Sequence, residues 1–427
     1  MEKTLIQQNP QWNGKPFKGL TERSIIKNLL AKKDLPHIQI LTGVRRCGKS
    51  TLFKLLMNDL LASGVSPKSI LNLNLDAPVF ISLWDNAQHL QQVIEASERL
   101  TGEKVQYLFL DEIQQVKNWE IFVKSVYDTQ TFRKIYITGS NSYIFSGQLA
   151  TNLRGRYIEI PMLPLSFKEY HSLRNESETK SFRRYMETGG FPYLSQYDLS
   201  QNQIDMYLEG IYNTVLLKDI EERMNRKHEG IKEKNITDIA LLKAISRYCS
   251  STIGSPISLR GIANYFISNE RRISPNTVSD YVEALCESYL YYAAEPMDIS
   301  GKQLLKSNKK YYIVDLGLRN HILAKKKYDL GFSIENIVYF ELLRRGYQVN
   351  IGKAGDFEID FIAKKAGEYT YFQVTADLTA ESTFQREVNP LEKINDNYEK
   401  IVLTLDQFST GNYNGIKIIN VIDWLLS

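Results

Sequence analysis

The sequence predicts an α/β chain: a parallel sheet with helices on both faces, then a helical segment, a winged helix-turn-helix and a small terminal α/β domain. Three observations lead there. Short β-rich apolar runs alternate with helical patterns up to about residue 165. A glycine-rich run, residues 43–51, joins one of those strands to a helix. The periodicity then changes twice, near residues 236 and 329. Strands that alternate with helices form βαβ units, in which the strands lie parallel.

A chain of 427 residues is too long for one hydrophobic core. The pattern shifts give expected boundaries at 1–165, 166–235, 236–328 and 329–427. Apolar residues at 43% and charged residues at 24% exclude a largely disordered chain. The N-terminus, MEKTLIQQNPQWNGKPF, lacks the apolar core of a signal peptide, and no run approaches the ~18 apolar residues of a membrane span. The expectation is a cytoplasmic protein with no membrane partner. Cys47, Cys249 and Cys286 are scattered without CxxC spacing, which suggests neither a disulfide framework nor a zinc site.

In order along the chain, HIQILTG, SILNLNLD, VQYLFLDE and RKIYITGS read as strands of the first sheet. From Ser166 to about Arg223 the pattern is helical, interrupted by Gly189-Gly190 and Pro192, and reads as a helical lid. The charged stretch 221–234 reads as a surface linker. Residues 237–323 hold three helical segments followed by SYLYYAAE and KKYYIVD, the order of a winged helix-turn-helix. The remainder reads helix, strand, strand, strand, helix, strand.

The run Gly43, Val44, Arg45, Arg46, Cys47, Gly48, Lys49, Ser50, followed by Thr51, fits G-x-x-x-x-G-K-[ST] and stands between a strand and a helix, as a phosphate-binding P-loop must. Its glycines let backbone N–H groups wrap phosphate, Lys49 reaches the β/γ-phosphates, and Ser50 ligates Mg²⁺. These nine residues are the expected ATP-binding set. The strand Tyr107–Leu110 ends in Asp111, expected to hold Mg²⁺, and Glu112, expected to deprotonate the attacking water. A third strand, from Lys134 to Gly139, ends in Ser140 and Asn141, either of which would sense the γ-phosphate. Arg154 and Arg156, in LRGRY, are candidates for an arginine finger, acting in cis or from a neighbouring copy if the chain oligomerises.

Together GVRRCGKST, YLFLDEIQ, ITGSNSYIFSG, LRGRY followed by LPLSFKEY, GGFP and ISPNTVSDYVEAL resemble a family. It is that of bacterial and archaeal AAA-type ATPases with an uncharacterised C-terminal domain, a branch of the additional-glutamate P-loop NTPases. The resemblance spans nearly the whole chain and implies ATP binding and Mg-dependent hydrolysis. It also implies a last domain resembling restriction-endonuclease-like nucleases.

Such nucleases need an acid at the end of one strand and Glu-x-Lys on the next, because the acids hold Mg²⁺ and the lysine activates water. Asp360 supplies the first acid, and Glu335 or Glu341 an upstream one, but Gln373 and Thr375 stand where Glu and Lys are required. Nuclease activity is therefore not expected, unless a charge such as Glu387 or Lys393 migrates into the role.

Net charge is only +4, but residues 237–328 hold thirteen Lys/Arg against eight Asp/Glu. Ser274 reads as the N-cap and Pro275 as the first residue of a recognition helix bearing Asn276, Thr277 and Ser279. Lys302, Lys306, Lys309 and Lys310 flank the expected wing, where they would neutralise DNA phosphates. Asp280, Glu283 and Glu287 on the same helix oppose that reading. Two functions fit: an ATP-driven switch acting on duplex DNA, or an ATPase that regulates or senses a protein partner.

Overall fold

Five runs rich in apolar and β-branched residues form the first sheet: β1 (Ile38–Thr42), β2 (Ile70–Asn74), β3 (Tyr107–Asp111), β4 (Lys134–Gly139) and β5 (Tyr157–Pro161). All five are parallel, in the order β2-β3-β4-β1-β5. The computed structural model describes residues 1–140, 152–220, 238–306, 308–324, 330–355 and 357–427. The chain divides into two compact units, Met1–Met162 and Leu163–Ser427.

Every residue of β1, β3 and β4 is buried, as expected of parallel strands covered on both faces. The two-residue period sorts their side chains. Ile38, Ile40, Leu108, Leu110, Ile135 and Ile137 share one core with α2 (His89–Thr101) and α3 (Trp119–Asp128). On the alternate positions, Phe109 and Tyr136 stack at 4.6 Å and meet Phe53 of α1 (Lys49–Ala62) edge-on. The free edge of β2 is covered by the N-terminal segment. Asn9 exchanges two hydrogen bonds with the backbone of Asn72, accepting from its N–H at 2.8 Å and donating to its carbonyl at 3.0 Å. A side-chain amide here takes the place of a neighbouring strand.

The second unit begins with α4 (Phe167–Ser172), α5 (Glu178–Thr188) and α6 (Gln201–Thr214). Capping boxes close the amino ends of α4 and α6, Ser166 with Glu169 and Ser200 with Gln203. The expected linker at 221–234 lies outside the described residues. Then come α7 (Ile239–Ser251), β6 (Pro256–Ile257), α8 (Leu259–Ser268) and α9 (Pro275–Glu287), followed by β7 (Tyr291–Ala294), β8 (Pro296–Asp298) and β9 (Lys309–Ile313). Strands β6, β9 and β7 form a small antiparallel sheet. Ser274 caps α9, accepting from Thr277 N at 3.1 Å, with Pro275 at the first helical position.

The last part holds α10 (Leu316–Ile322), α11 (Leu330–Arg344), β10 (Gln348–Ala354), β11 (Phe357–Lys365), β12 (Glu368–Thr375), α12 (Glu381–Glu392) and β13 (Glu399–Thr404). A final hairpin, β14 (Gly411–Tyr413) with β15 (Ile416–Asn420), precedes the closing helix α13 (Val421–Leu426). The seven-stranded sheet runs β14-β15-β13-β12-β11-β10-β8. Strand β8 belongs to it and not to the small sheet: Met297 pairs in parallel with Gly352 of β10. The two runs expected to flank the wing, β7 and β9, pair antiparallel, Tyr291 with Ile313, while β8 in the segment between them is an edge strand of the terminal sheet. No helix among the described residues is long and apolar enough to cross a membrane.

The Gly189-Gly190 break has a specific partner. Asp315 accepts from Gly190 N at 2.6 Å and from Leu318 N at 3.1 Å, capping α10 at the same time. Gly189 has φ +78, and a Cβ there would collide with the Asp315 carboxylate. Burial raises the Asp315 pKa to about 6 against the pull of these backbone N–H groups. Gly189→Ala is expected to destabilise the second unit by about 1–3 kcal/mol, through backbone strain at positive φ together with the clash. A urea titration of the full chain checks this, and an unchanged midpoint would contradict it.

Candidate functional site

Between Thr42, the end of β1, and Lys49, the start of α1, the chain makes a tight loop. Gly43 at φ 142 and Gly48 at φ 107 occupy backbone space that favours glycine, and Arg46 at φ 66 is left-handed as well. A Cβ on Gly43 would strike the Met162 carbonyl. Such alternating conformations turn successive N–H groups inward, and this concavity lies at the amino end of a fourteen-residue helix. Lys49 is buried, and its ammonium donates to the carbonyls of Gly43 at 2.7 Å and Val44 at 3.1 Å. Cys47 is buried, whereas Arg46 and Ser50 are exposed and Arg45 and Thr51 half-buried. Arg23 is buried and donates to the Cys47 carbonyl at 2.9 Å, bracing the loop from outside the motif.

Asp111 ends β3 and is buried. Its carboxylate accepts from the Thr138 hydroxyl at 2.5 Å, and the Thr138 and Ser50 hydroxyls act on its pKa against burial. The Thr138 hydroxyl also accepts from Glu112 N at 2.9 Å, so one β4 side chain holds both acids. Glu112 is left-handed, φ 56, a conformation that costs energy in any residue but glycine and that turns its side chain away from the strand line. The two acids are driven apart electrically. Burial, then repulsion from Glu112, raises the Asp111 pKa. Burial pushes Glu112 the same way, but Lys49, Arg45 and hydrogen bonds from Gln114 and Ser140 outweigh it and hold Glu112 below its usual value. Ser140 is buried beside them, and Asn141 lies outside the described residues.

Arg154 and Arg156 are not brought to this site. The Arg156 carbonyl accepts from Ile38 N at 2.9 Å, and Tyr157 pairs with Ile38, at the amino ends of the strands. The loop is at the carboxyl ends, roughly 17 Å away along a five-residue strand. Arg156 pairs with Asp128 at 2.8 Å and Arg154 is exposed. Sequence reasoning missed Arg23, Thr138 and Gln114. Thr138 and Gln114 lie inside quoted segments, and the position of Thr138 as the one hydroxyl residue near the carboxyl end of an apolar strand was a usable signal. Arg23 gave none.

A model of the AAA domain matches residues 36–171, and a model of a domain of unknown function matches residues 179–329. The chain is 37% identical over 416 residues to an uncharacterized protein of Haemophilus influenzae, covering 95% of this chain and 98% of that one. The chain belongs to the family of that protein and carries an AAA domain. An uncharacterized protein of Methanocaldococcus jannaschii is 27% identical over 394 residues, covering 86% of this chain and 81% of that one. A Walker-type ATPase of Pyrococcus abyssi aligns in structure with a TM-score of 0.41 at 15% identity, over 71% of this chain and 96% of that one. The parallel sheet with flanking helices, β4 lying between the loop strand and the acid strand, is of the P-loop NTPase type.

The second unit of this AAA protein corrects an expectation. Lys310 is not a surface lysine of a wing. It is buried, with its ammonium 2.8 Å from Glu358, 3.2 Å from Glu335 and 3.9 Å from Asp360. Burial alone would lower its pKa, but those three carboxylates hold it above the usual lysine value. The lysine that Thr375 fails to supply beside Asp360 has a counterpart from elsewhere in the chain: Lys310 comes from β9, and Glu358 of β11 joins the same cluster. Sequence comparison of one strand with the next could not reveal a lysine contributed by another sheet.

Around that lysine, Tyr312 donates to Glu335 at 2.6 Å, Val374 N to Asp360 at 2.8 Å, and Gln373 to Glu387 at 2.8 Å. A cavity of about 500 Å³ adjoins the cluster. Glu341 is elsewhere, paired with Arg345 at 2.9 Å, and Lys393 lies over the Phe357 ring. Among the described residues no group of three or more acids, histidines or cysteines is placed to hold a metal ion. The other expected wing lysines divide. Lys309 pairs with Glu295 at 2.5 Å, Lys302 reaches Asp396 at 3.2 Å within the rings of Tyr369, Tyr371 and Tyr398, and Lys306 is exposed.

Proposed function

We propose that the AAA unit binds ATP with magnesium and hydrolyses it, and that the second unit transmits the resulting change to a partner. The observation that carries this is the loop in which Lys49 is buried against the Gly43 and Val44 carbonyls, at the same sheet edge where the buried Asp111 ends β3. The donor set fits magnesium: a hydroxyl and a buried carboxylate, with a second carboxylate repelling it, are hard oxygens that a small cation would relieve. Magnesium bound through Ser50 and Asp111 would neutralise charge on the β- and γ-phosphates.

The loop from Gly43 to Thr51 would surround the phosphates with N–H groups, and Lys49 would exchange its two carbonyl partners for phosphate oxygens. Glu112, kept ionised, takes a proton as the water oxygen bonds to the γ-phosphorus and the bond from that phosphorus to ADP breaks. Ser140 stands where the freed phosphate would be felt, beside Glu112.

Three of the four lysines expected to meet DNA are held by acids of the protein itself, and β8, between the two strands of the expected wing, is paired into the terminal sheet. This favours a protein partner over duplex DNA.

Lys49→Ala is expected to weaken ATP binding at least about tenfold, since it removes the charge facing the β/γ-phosphates and leaves the loop backbone in place; isothermal titration reads this directly. Glu112→Gln should retain ATP affinity and lose about a hundredfold or more in turnover, the range for a lost general base. Turnover within a few-fold of the parent would remove Glu112 from that role.

Charge reversal of Lys302, Lys306 and Lys309 to Glu should leave duplex binding unchanged in fluorescence anisotropy across a salt series. A marked loss with a flatter salt dependence would restore the DNA reading. The terminal sheet is expected to cut neither DNA nor RNA with Mg²⁺ or Mn²⁺, because Lys310, Tyr312, Val374 N and Gln373 already engage its acids. Plasmid nicking that disappears in Asp360→Ala would show the opposite.

A further inference from the structure

Gln114 follows the acid pair in the short 3-10 turn Ile113–Gln115, and no role was assigned to it from sequence. Its side chain reaches back into the site. The amide nitrogen donates to the Glu112 carboxylate and, at 3.2 Å, to the Ser140 hydroxyl, so one carboxamide links the ends of β3 and β4. The oxygen of that carboxamide, two bonds from the same nitrogen, is buried and has no hydrogen-bond partner among the described residues. Buried acceptors are almost always satisfied, and one left beside a carboxylate and a hydroxyl calls for a donor that arrives with the reactants. The left-handed turn at Glu112 is what puts Gln114 within reach, because it bends the chain back toward β4 directly after the strand.

We infer that Gln114 is a positioning residue for ATP hydrolysis: its N–H group holds the Glu112 carboxylate, and its carbonyl oxygen accepts a hydrogen from the water that Glu112 deprotonates. This rests on the proposed ATPase reading of the same site. In the step, the water oxygen bonds to the γ-phosphorus while the bond from that phosphorus to the ADP oxygen breaks. One water proton passes to Glu112. The other remains on the attacking oxygen, directed at Gln114 during the approach. Two acceptors on one water fix its orientation, and misplacement of an attacking group by about 1 Å costs on the order of a hundredfold in rate. Ser140 receives the same amide, which ties the position of Glu112 to the strand end nearest the expected γ-phosphate.

The test compares full-length parent, Gln114→Met, Glu112→Gln and the double variant for steady-state turnover, ATP affinity by titration calorimetry and thermal midpoint. Methionine keeps the length of the side chain and removes both polar groups. The expected result is a fall in kcat of about 10- to 100-fold for Gln114→Met, with ATP affinity and midpoint unchanged. In the Glu112→Gln background the second change should add nothing, since Gln114 acts through the water and its base. Unchanged kcat in Gln114→Met overturns the inference while leaving the ATPase reading intact. A loss of ATP affinity or midpoint in step with kcat assigns Gln114 a structural role and overturns it too. A parent that neither binds nor hydrolyses ATP overturns both.

Discussion

The AAA unit depends on the parallel register of three strands, β1, β4 and β3, whose carboxyl ends finish along one edge of the sheet. Thr42 pairs with Gly139, and Leu110 with Ile137. That register sets the loop that follows β1 beside the acids that end β3, with β4 supplying Thr138 between them. A slip of one residue would reverse the face of every side chain, burying Leu110 and its neighbours on the wrong side and carrying Asp111 away from Ser50. The apolar core on the α2 and α3 face and the aromatic trio on the α1 face hold the register from both sides.

Charge organises the site once the register has placed it. Two neighbouring carboxylates in a buried position repel, and their behaviour separates because Lys49, Arg45 and Gln114 outweigh burial at Glu112, whereas burial and the Glu112 charge dominate at Asp111. An acid kept ionised can accept a proton, and an acid flanked by hydroxyl oxygens suits a hard cation. The strained backbone of Glu112 serves this division, since it aims the second side chain out of the strand and toward Gln114.

In the second unit the same physics acts to join modules. A lysine from a small sheet sits among acids of the large sheet and of helix α11, and breaking such a buried pair is more costly than its net contribution suggests, because the remaining charges stay desolvated. Asp315 does comparable work at the Gly189-Gly190 turn. Along with β8, which leaves the small sheet for the large one, these contacts place the expected boundary at residue 328 inside one compact unit.

Much of this was legible along the chain because it is local. The glycines of the loop, the apolar strand ending in Asp111 and Glu112, and the Ser274-Pro275 helix start each follow from short-range backbone and capping requirements, and the sequence alone fixes them. What required the fold is everything set by pairs distant in sequence. Thr138 reaches Asp111 and Glu112 only because β4 lies between β1 and β3. Arg156 falls at the wrong end of the sheet only because β5 runs parallel to β1. Lys310 becomes a buried ion-pair partner only because β9 packs against acids many residues onward. A surface cation and a buried one read alike in sequence; burial and partners are properties of the packed chain, and the desolvation they impose decides which groups are free to act.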